Sequence, residues 1–423
     1  MELSTYSEFS AAIHQQVVAG AIPVNGTIEV TNRCPLTCSH CYNNLAMGDS
    51  AARSLELTTD QHRRIADEVA EMGCLWMLYS GGEIFARRDF LDIYEHAKRS
   101  GLLCTLFTNG ILIDERIADR LVELPPFAIE ITLYGRTRET YERLTRVPGS
   151  FDRCMRGIRL LKERGLPLKL KSVAVTINQH EMGDMQRFAE EELGLPFKFD
   201  GMINARIDCS HSPLNVRLRP TDMVRLDYED PARRAQWATL LPDPAAPAMP
   251  ASDQTYHCGG GVSAYAIDPE GKLSICVLSQ QDTFDLRAGG FKDGWDGFMR
   301  ETRAKKVTRP SKCTTCKLRG LCSNCAATAE LENGDAETPV EYFCEVAHLR
   351  AQALGYEPPP HGDCAFCAGG DKHAQLLEGL AEIRRHEPVQ RRRSLAMVDE
   401  PARAGCDSGG CGSCTSAVAE ETP

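Results

Sequence analysis

The 423-residue sequence lacks the features of exported and membrane-spanning proteins. Its first twenty residues contain no basic leader followed by an apolar run, and no stretch of about eighteen apolar residues occurs anywhere in the chain. A basic stripe for nucleic acid is also missing, because the formal net charge is −11 and the one arginine-rich run, at 384–393, is short. We therefore expect a cytoplasmic protein with no membrane or nucleic-acid partner.

Cysteine, in contrast, is abundant, with 19 residues in a chain that shows no export signal. Reducing conditions in the cytosol keep thiols from forming a disulfide framework. No internal repeat accompanies these cysteines. The sequence therefore predicts bound metal.

From residue 26 to about residue 205, short β-rich apolar runs alternate with amphipathic helical stretches. One helix is predicted at 59–72, where Thr58 and Gln61 have capping-box spacing. This alternation predicts an α/β fold, and six units fit a partial (β/α)6 TIM-like barrel better than a closed eight-unit barrel. Functional groups are then expected at the carboxyl ends of the strands. The six predicted strands lie at 26–32, 74–80, 102–109, 127–134, 168–177 and 196–205.

Two proline-rich stretches divide the rest of the chain. Residues 240–255 carry four prolines and are predicted to be irregular, and residues 356–362 mark a second boundary. Beyond residue 361, glycine, serine, alanine and cysteine surround one predicted helix at 372–385. The predicted organisation is an N-terminal segment at 1–25, the partial barrel at 26–205, a linker at 206–255, a small cysteine-rich domain at 256–350 and a partly flexible, cysteine-containing tail at 351–423.

Cys34, Cys38 and Cys41 follow the first predicted strand directly, which places them on the first loop at the carboxyl ends of the strands. A structural zinc site needs four ligands, and iron–sulfur clusters are normally held by four cysteines. A loop with three thiolates therefore leaves one metal position open to an outside ligand. A fragment of a zinc knuckle or chance spacing would also give three cysteines, but neither accounts for the matching features downstream.

The spacing C-x3-C-x2-C, followed by the aromatic Tyr42, resembles the signature loop of radical SAM enzymes. In that family, S-adenosylmethionine (SAM) binds the open iron of a [4Fe–4S] cluster, and electron transfer cleaves it to a 5′-deoxyadenosyl radical that abstracts hydrogen from a substrate. The resemblance covers roughly residues 26–350. It implies that Cys34, Cys38 and Cys41 are the catalytic cluster ligands.

Further strand ends match the same family in order and position. Residues 80–83 resemble its glycine-glycine-glutamate motif, where a bare backbone lets the SAM amino group approach. The third and fourth predicted strands end where the family places polar groups on the ribose. Arg146 would pair with the SAM carboxylate, although an exposed arginine without that role fits equally well. The cofactor-binding residues that the resemblance implies are Tyr42, Ser80, Gly81, Gly82, Glu83, Thr108, Asn109, Thr132, Arg146 and Asn178.

A second set of cysteines is similar to the seven-cysteine pattern of the SPASM extension of radical SAM enzymes. Its C-x2-C-x5-C-x2-C run departs from that pattern, since two residues instead of three separate the last pair. The family's cross-over ligation implies two auxiliary iron–sulfur clusters, with two structural zinc sites as the alternative. The implied ligands are Cys313, Cys316, Cys322 and Cys344 for one cluster, and Cys258, Cys276 and Cys325, without a fourth cysteine, for the other.

Five cysteines near the end of the sequence allow three interpretations. They could form a further metal site with zinc or a labile cluster, which we favour, or a flexible thiol tail that shuttles iron, or a segment that resembles a cysteine-rich peptide substrate. These residues are Cys364, Cys367, Cys406, Cys411 and Cys414.

Isolated cysteines and histidines are assigned structural roles. His40 and His211 are predicted to be hydrogen-bonded residues and not ligands. Four single cysteines are predicted to be small buried hydrophobic residues. They are Cys74, Cys104, Cys154 and Cys209.

The resemblance implies an oxidoreductase that modifies or cross-links a ribosomally made peptide, with an electron donor such as flavodoxin or ferredoxin. Val277 stands where sulfatase-maturing relatives carry the aspartate that deprotonates the substrate, so formylglycine formation is disfavoured. Residues 1–25 are too short for a leader-binding domain, so a separate leader-recognition protein or a leaderless substrate is expected. A SPASM dehydrogenase or cofactor-pathway enzyme acting on a small molecule is the first alternative. A non-enzymatic iron–sulfur or zinc protein is the second, although a carrier needs no nucleoside pocket at its strand ends.

Overall fold

The computed structural model describes residues 6–242 and 253–386, with side chains from residue 13 onward. It has an α/β fold built on one large sheet and one small two-stranded sheet. The strands are β1 Asn25–Glu29, β2 Arg33–Cys34, β3 Leu45–Ala46, β4 Trp76–Ser80, β5 Leu103–Thr108, β6 Ala128–Thr132, β7 Leu168–Val173, β8 Phe197–Asp200, β9 Ala264–Ile267, β10 Lys272–Ser274 and β11 Phe284–Asp285.

The large sheet has nine strands in the order β11-β10-β9-β1-β4-β5-β6-β7-β8. The six strands from β1 to β8 in that order are all parallel to one another, which confirms the predicted set of six. The sheet does not close on itself, so the architecture is a partial barrel. Because parallel strands share one carboxyl edge, the loops after these strands meet on one side of the molecule.

The sheet also extends across the predicted domain boundary. Strand β9 pairs in parallel with β1, from Asn25 opposite Ala264 to Ile28 opposite Ile267, and β10 and β11 follow in antiparallel order. The first part of the cysteine-rich region is thus continuous with the barrel sheet.

Helices cover the outer face of the sheet, and their ends follow local sequence signals. Helix α3 begins with a complete capping box between Thr58 and Gln61, as the sequence predicts, and α5 begins at Asp114, which accepts from the Ile117 N–H. The helices are α1 Tyr6–Gly20, α2 Ser50–Leu55, α3 Thr59–Glu71, α4 Phe90–Arg99, α5 Glu115–Glu123, α6 Arg138–Thr145, α7 Ser150–Glu163, α8 Met182–Arg187, α9 Pro220–Glu229, α10 Pro231–Ala238, α11 Phe291–Asp293, α12 Arg300–Arg303, α13 Ala326–Asn333, α14 Glu341–Ala353 and α15 His373–Arg384.

The segment assigned to a linker at 206–255 contains two helices, α9 and α10, and so differs from the prediction. Helix α9 starts with Pro220 at its first turn, where a proline is tolerated, and it packs against α14 and α15. Residues 243–252 of the proline-rich stretch lie outside the described residues. The helix predicted at 372–385 is present as α15.

None of the helices in residues 6–242 and 253–386 combines the length and the apolar character needed to cross a bilayer.

Candidate functional site

The three-cysteine loop spans residues 34–44, from the end of β2 to the start of β3, at the carboxyl edge of the sheet. Its two ends are joined by the parallel pairing of β2 with β3, in which Cys34 lies opposite Ala46. The carboxyl end of α6 holds the middle of the loop, because Thr37 N–H donates to Thr145 O at 3.1 Å and Ser39 N–H donates to Leu144 O at 3.1 Å. The loop is therefore fixed at its base and along its side.

The three thiols of this loop lie close enough to interact electrostatically with one another. Cys34 Sγ accepts from the Leu36 N–H at 3.4 Å and from Asn109 Nδ2 at 3.5 Å. The Tyr134 hydroxyl hydrogen-bonds Cys38. Donors directed at sulfur stabilise thiolates, so the loop is arranged for metal-bound sulfur.

Burial raises the pKa of the Cys34 thiol to about 12 and that of Cys38 well above its usual value. Such thiols stay protonated at neutral pH unless a metal ion displaces the proton. The sulfur atoms of these three cysteines do not all lie within 4.8 Å of one another, which is the spacing of ligands to a single ion. Each ligand of a four-iron cluster binds a different iron, so this wider arrangement fits a cluster.

Gly81 and Gly82 lie directly against the backbone that leads into the loop. Gly81 has a φ of +127°, and a Cβ on it would lie 2.3 Å from Thr31 O. A Cβ on Gly82 would lie 2.5 Å from Asn32 O. The bare backbone expected for SAM thus also has a structural cause, since only glycine lets the end of β4 approach the segment before Cys34.

Glu83 connects the ends of two neighbouring strands. Its Oε1 accepts from Thr108 Oγ1 at 2.7 Å and its Oε2 accepts from the Asn109 N–H at 2.8 Å. Burial raises the pKa of Glu83 to about 7, although these hydrogen bonds favour the carboxylate. Glu83 therefore orients Asn109 towards Cys34, and its described contacts are with the protein itself.

Tyr42 is also held by a buried carboxyl group. Its hydroxyl donates to Glu29 Oε1, which also accepts from Asn43 Nδ2 at 2.9 Å. Burial raises the pKa of Glu29 to about 7. The Tyr42 hydroxyl is in electrostatic contact with both Cys41 and Cys276, so this residue lies between the loop and the second set of cysteines.

The remaining predicted cofactor residues occupy different settings. Ser80 and Thr132 end β4 and β6 at the carboxyl edge of the sheet. Arg146 is exposed at the end of α6, with a left-handed φ of 59°. Asn178 is fully buried, and its amide is used by backbone groups, with Oδ1 accepting from Val175 N–H at 2.8 Å and Nδ2 donating to Tyr134 O at 3.0 Å. Asn178 thus positions the strand-end residue Tyr134.

Arg206 is a residue of this site that sequence reasoning missed. It donates from Nη1 to Cys41 O at 3.0 Å and to Asn44 Oδ1 at 2.9 Å, and from Nη2 to Asn44 O at 3.0 Å. No motif marks it, because it lies far along the chain from the loop. Tyr134 was missed too, although it belongs to the same strand-end stretch as Thr132.

Replacing Arg206 with lysine is expected to loosen the cluster loop. A lysine keeps the charge but loses the planar fork that reaches three acceptors, and we expect a net loss of about one hydrogen bond from a charged donor, worth about 1.5 kcal/mol. We expect iron release from the loop to a chelator to accelerate by about tenfold, which corresponds to about 1.4 kcal/mol. Arg143→Lys is the control, because Arg143 is exposed and donates to the single acceptor Ile177 O. Equal release rates for the two variants would contradict the role of Arg206.

The second set of cysteines gathers into the two groups expected from the sequence. Cys322 interacts electrostatically with Cys344, Cys313 and Cys316, and Cys276 does so with Cys325 and Cys258. Backbone N–H groups point at sulfur here as well, from Leu318 to Cys316 and from Asn324 to Cys322, each at 3.4 Å. The donor set and its hydrogen bonds fit iron–sulfur clusters, and the ligand roles remain predictions.

Charged residues on β6, β7 and β8 lie together on the inner face of the sheet. Glu130 on β6 pairs with Lys171 on β7 at 3.4 Å and with Lys198 on β8 at 3.0 Å. Lys171 Nζ also lies over the Phe107 ring. Burial lowers the pKa of Lys171 to about 7, an effect that the Glu130 carboxylate opposes. The inner face therefore presents a polar group whose charge changes near neutral pH.

Among the isolated cysteines and histidines, two predictions were wrong and three were confirmed. Cys209 is exposed on a tight turn with a φ of 63°, whereas the other three isolated cysteines are buried. His40 is half-buried against Tyr134, and its buried Nδ1 has no hydrogen-bond partner. A hydrophobic pattern does not show which side of a short turn faces solvent. Cys406, Cys411 and Cys414 lie outside the described residues.

Comparison with known proteins agrees with this architecture. Residues 28–191 match the model of the Radical SAM superfamily. A PqqA peptide cyclase from Granulibacter bethesdensis is 33% identical over 346 residues, which cover 78% of this chain and 90% of the relative. An AdoMet-dependent heme synthase from Methanosarcina barkeri is 24% identical over 329 residues, covering 73% of this chain and 92% of the relative.

Two solved structures share the fold. Streptococcus suis SuiB bound to its precursor peptide SuiA has a TM-score of 0.58 and 17% identity, over 80% of this chain and 81% of that one. The enzyme anSMEcpe with bound AdoMet has a TM-score of 0.56 and 15% identity, over 85% of this chain and 99% of that one. The protein thus has an α/β radical SAM fold followed by a cysteine-rich region. The chain belongs to the radical SAM superfamily, which confirms the resemblance found in the sequence.

Proposed function

We propose that the protein is a radical SAM enzyme that oxidatively modifies or cross-links a peptide. The observation that carries this proposal is the placement of three thiols, one buried and two half-buried, at the carboxyl ends of the parallel strands, with donors directed at the sulfur atoms of Cys34 and Cys38. The 33% identity to a peptide cyclase, over most of both chains, favours a peptide as the substrate.

When bound, the loop cluster and SAM supply a 5′-deoxyadenosyl radical, and the auxiliary clusters supply an acceptor for the second electron of the oxidation. The chain's own residues hold these groups in place. Cys34, Cys38 and Cys41 are the ligands of the loop cluster. Asn109 and Tyr134 donate to two of these sulfur atoms, and Arg206 fixes the end of the loop.

The inner-face group of Glu130, Lys171 and Lys198 is placed to bind the polar part of the substrate. Lys171 in its charged form would hold an anionic group such as a carboxylate, and Phe107 would pack against the apolar part of the same substrate. Such a group would restrict which residue of a peptide the site accepts.

The low pKa of Lys171 gives a pH prediction. Because only charged Lys171 binds an anion, kcat/KM should fall as the pH rises through about 7, the pKa of Lys171. Lys171→Arg stays charged and should keep its activity above that pH, whereas Lys171→Met should be weak throughout. The free energy of unfolding should rise as the pH rises from 7 to the usual lysine pKa of 10.5, because over this range the unfolded lysine binds more protons than the folded one. A wild-type profile that matches Lys171→Arg would contradict this assignment.

A reconstitution experiment tests the proposed function. The anaerobic protein, reconstituted with iron and sulfide, is incubated with dithionite and SAM, and 5′-deoxyadenosine is measured by chromatography. Short peptides encoded beside the gene are then added, and a loss of two hydrogens per new bond is expected in their mass. A protein that binds zinc at all its cysteine sites and forms no 5′-deoxyadenosine would support a non-enzymatic role instead.

A small-molecule substrate is the second candidate, favoured by the 24% identity to an AdoMet-dependent heme synthase over 73% of this chain. Parallel incubations with an iron porphyrin carrying propionate side chains would distinguish the two. Conversion of the porphyrin, with every peptide unchanged, would favour this candidate.

Cytoplasmic location, a flavodoxin or ferredoxin as electron donor and a separate leader-recognition protein remain part of the proposal. Co-expression with small proteins encoded beside the gene would test the last of these. A recognition protein should raise the affinity for the peptide, and it should leave 5′-deoxyadenosine formation unchanged when no peptide is present.

A further inference from the structure

Four side chains near the end of the described chain converge at one point. His348 lies on α14, His361 follows the prolines at 358–360, and Cys364 and Cys367 lie on the turn that follows. Among residues 6–242 and 253–386, they are the group of histidine, cysteine and acidic side chains whose ligand atoms all lie within 4.8 Å of one another. We infer that these four residues form a closed tetrahedral zinc site, separate from the cluster sites and independent of the proposed function.

The distances agree with a single tetrahedral ion. A Zn²⁺ ion with Zn–S of about 2.3 Å and Zn–N of about 2.0 Å places a nitrogen and a sulfur ligand about 3.5 Å apart. His348 Nε2 lies 3.5 Å from both Cys364 Sγ and Cys367 Sγ, and His361 Nδ1 lies 3.3 Å from Cys367 Sγ. An iron–sulfur cubane does not fit here, because its ligands bind different irons and stand farther apart.

The ligands are also oriented as zinc ligands are. His348 Nδ1 lies 2.7 Å from Cys344 O, so a proton on that nitrogen leaves Nε2 free to face the thiols. The Phe366 N–H donates to the Cys364 sulfur, as backbone N–H groups commonly do to metal-bound thiolates. These contacts fix both a ring and a sulfur from outside the site.

The turn that carries the two cysteines is built tightly. Gly370 N–H donates to Cys367 O at 2.8 Å, and a Cβ on Gly370 would lie 2.3 Å from Ala365 O. Glycine is therefore required for the chain to fold back beneath the pair. This compact C-x2-C turn holds both thiols on one side, towards His348.

A metal-free arrangement is the competing explanation. His361 Nδ1 lies 3.1 Å from Pro359 O and could donate to it, and the thiols would then bond only weakly to the rings. In that explanation Cys364, Cys367 and His348 are buried, and the two thiols are the partners of His348 Nε2. Burying the His348 ring with only weakly bonding thiols at its Nε2 is costly, and a shared cation supplies a strong interaction.

The site adjoins one of the proposed auxiliary clusters. Cys344 and His348 stand one turn apart on α14, and the Cys316 thiol hydrogen-bonds the His361 ring. Zinc at this position would fasten the segment at 361–367 to α14 through His348. Its role is structural, because all four positions are filled by protein ligands.

Metal analysis of the full-length protein is the first test. We expect about one zinc per chain in addition to iron, with X-ray absorption at the zinc edge showing two sulfur and two nitrogen ligands at about 2.3 and 2.0 Å. Absence of zinc after purification in zinc-containing medium, or a zinc environment of four sulfurs, would overturn the inference. This measurement uses the wild-type protein, so it does not depend on whether a variant folds.

Variants provide the second test. Cys364→Ser with Cys367→Ser should remove the zinc, while iron content and 5′-deoxyadenosine formation stay at wild-type levels. Cys209→Ser, which changes an exposed cysteine, should keep both metals. Loss of iron with zinc unchanged in the double variant would show that these cysteines hold a cluster, and would reject the zinc site. Failure of the proposed peptide chemistry would leave the zinc result unaffected.

Discussion

Cys38→Ala should form no detectable 5′-deoxyadenosine from SAM. Cys38 interacts electrostatically with both other thiols of the loop, and its sulfur accepts a hydrogen bond from the Tyr134 hydroxyl. With two thiolates left, the loop can no longer hold a four-iron cluster that offers one open iron. The measurements are chromatography of the nucleoside product and iron content, which should fall by about four atoms per chain.

The matched control for this variant is Cys209→Ala, which removes an exposed cysteine on a nearby turn. It should keep both the nucleoside product and the full iron content. The auxiliary iron should also remain in Cys38→Ala, because its proposed ligands lie on other elements. A Cys38→Ala protein that cleaves SAM at the wild-type rate would refute the assignment of the loop.

Asp227→Asn should lower the free energy of unfolding by about 3–5 kcal/mol, the usual effect of breaking a buried ion pair. Asp227 and Arg350 are 3% and 2% exposed, and Arg350 Nη2 donates to Asp227 Oδ2 at 2.8 Å. Arg233 Nη2 also donates to Asp227, at Oδ1 and 2.5 Å, so the substitution leaves two guanidiniums facing a neutral amide. Anaerobic urea unfolding measures the loss.

Asp152→Asn is the control, because it removes a carboxylate from an exposed pair with Arg138. Exposed pairs contribute little, so its unfolding curve should follow the wild type. Arg350 Nη1 also donates to Leu321 O at 2.8 Å, directly before Cys322. Asp227→Asn should therefore also release auxiliary iron sooner than the wild type. An unchanged free energy of unfolding would disprove the importance of the Asp227–Arg350 pair.

The parts of the fold that depend on local pattern were predictable. The six parallel strands, the capping box of α3 and helix α15 follow from alternation, spacing and periodicity that can be read within a few residues. The cysteine loop was predictable for the same reason, since its ligands lie within eight positions. The two groups of later cysteines were expected only through resemblance to a family.

The parts that depend on distant contacts were not predictable. Arg206 lies 165 positions after Cys41 in the sequence, and its contact with the loop depends on the folded barrel. Lys171 owes its low pKa to burial, which the Glu130 carboxylate on another strand opposes. His348 lies in a helix whose pattern marks a buried face and no ligand. Its meaning depends on Cys364 and Cys367, which fold back onto it.

The pairing of β1 with β9 has a consequence for how the chain is made. During synthesis, Asn25–Glu29 leaves the ribosome long before Ala264–Ile267, so one edge of the first strand stays unpaired while the rest of the barrel is assembled. Unpaired edges recruit other strands, which makes nascent or truncated chains prone to aggregate. A gene fragment that ends before codon 264 should therefore yield insoluble protein.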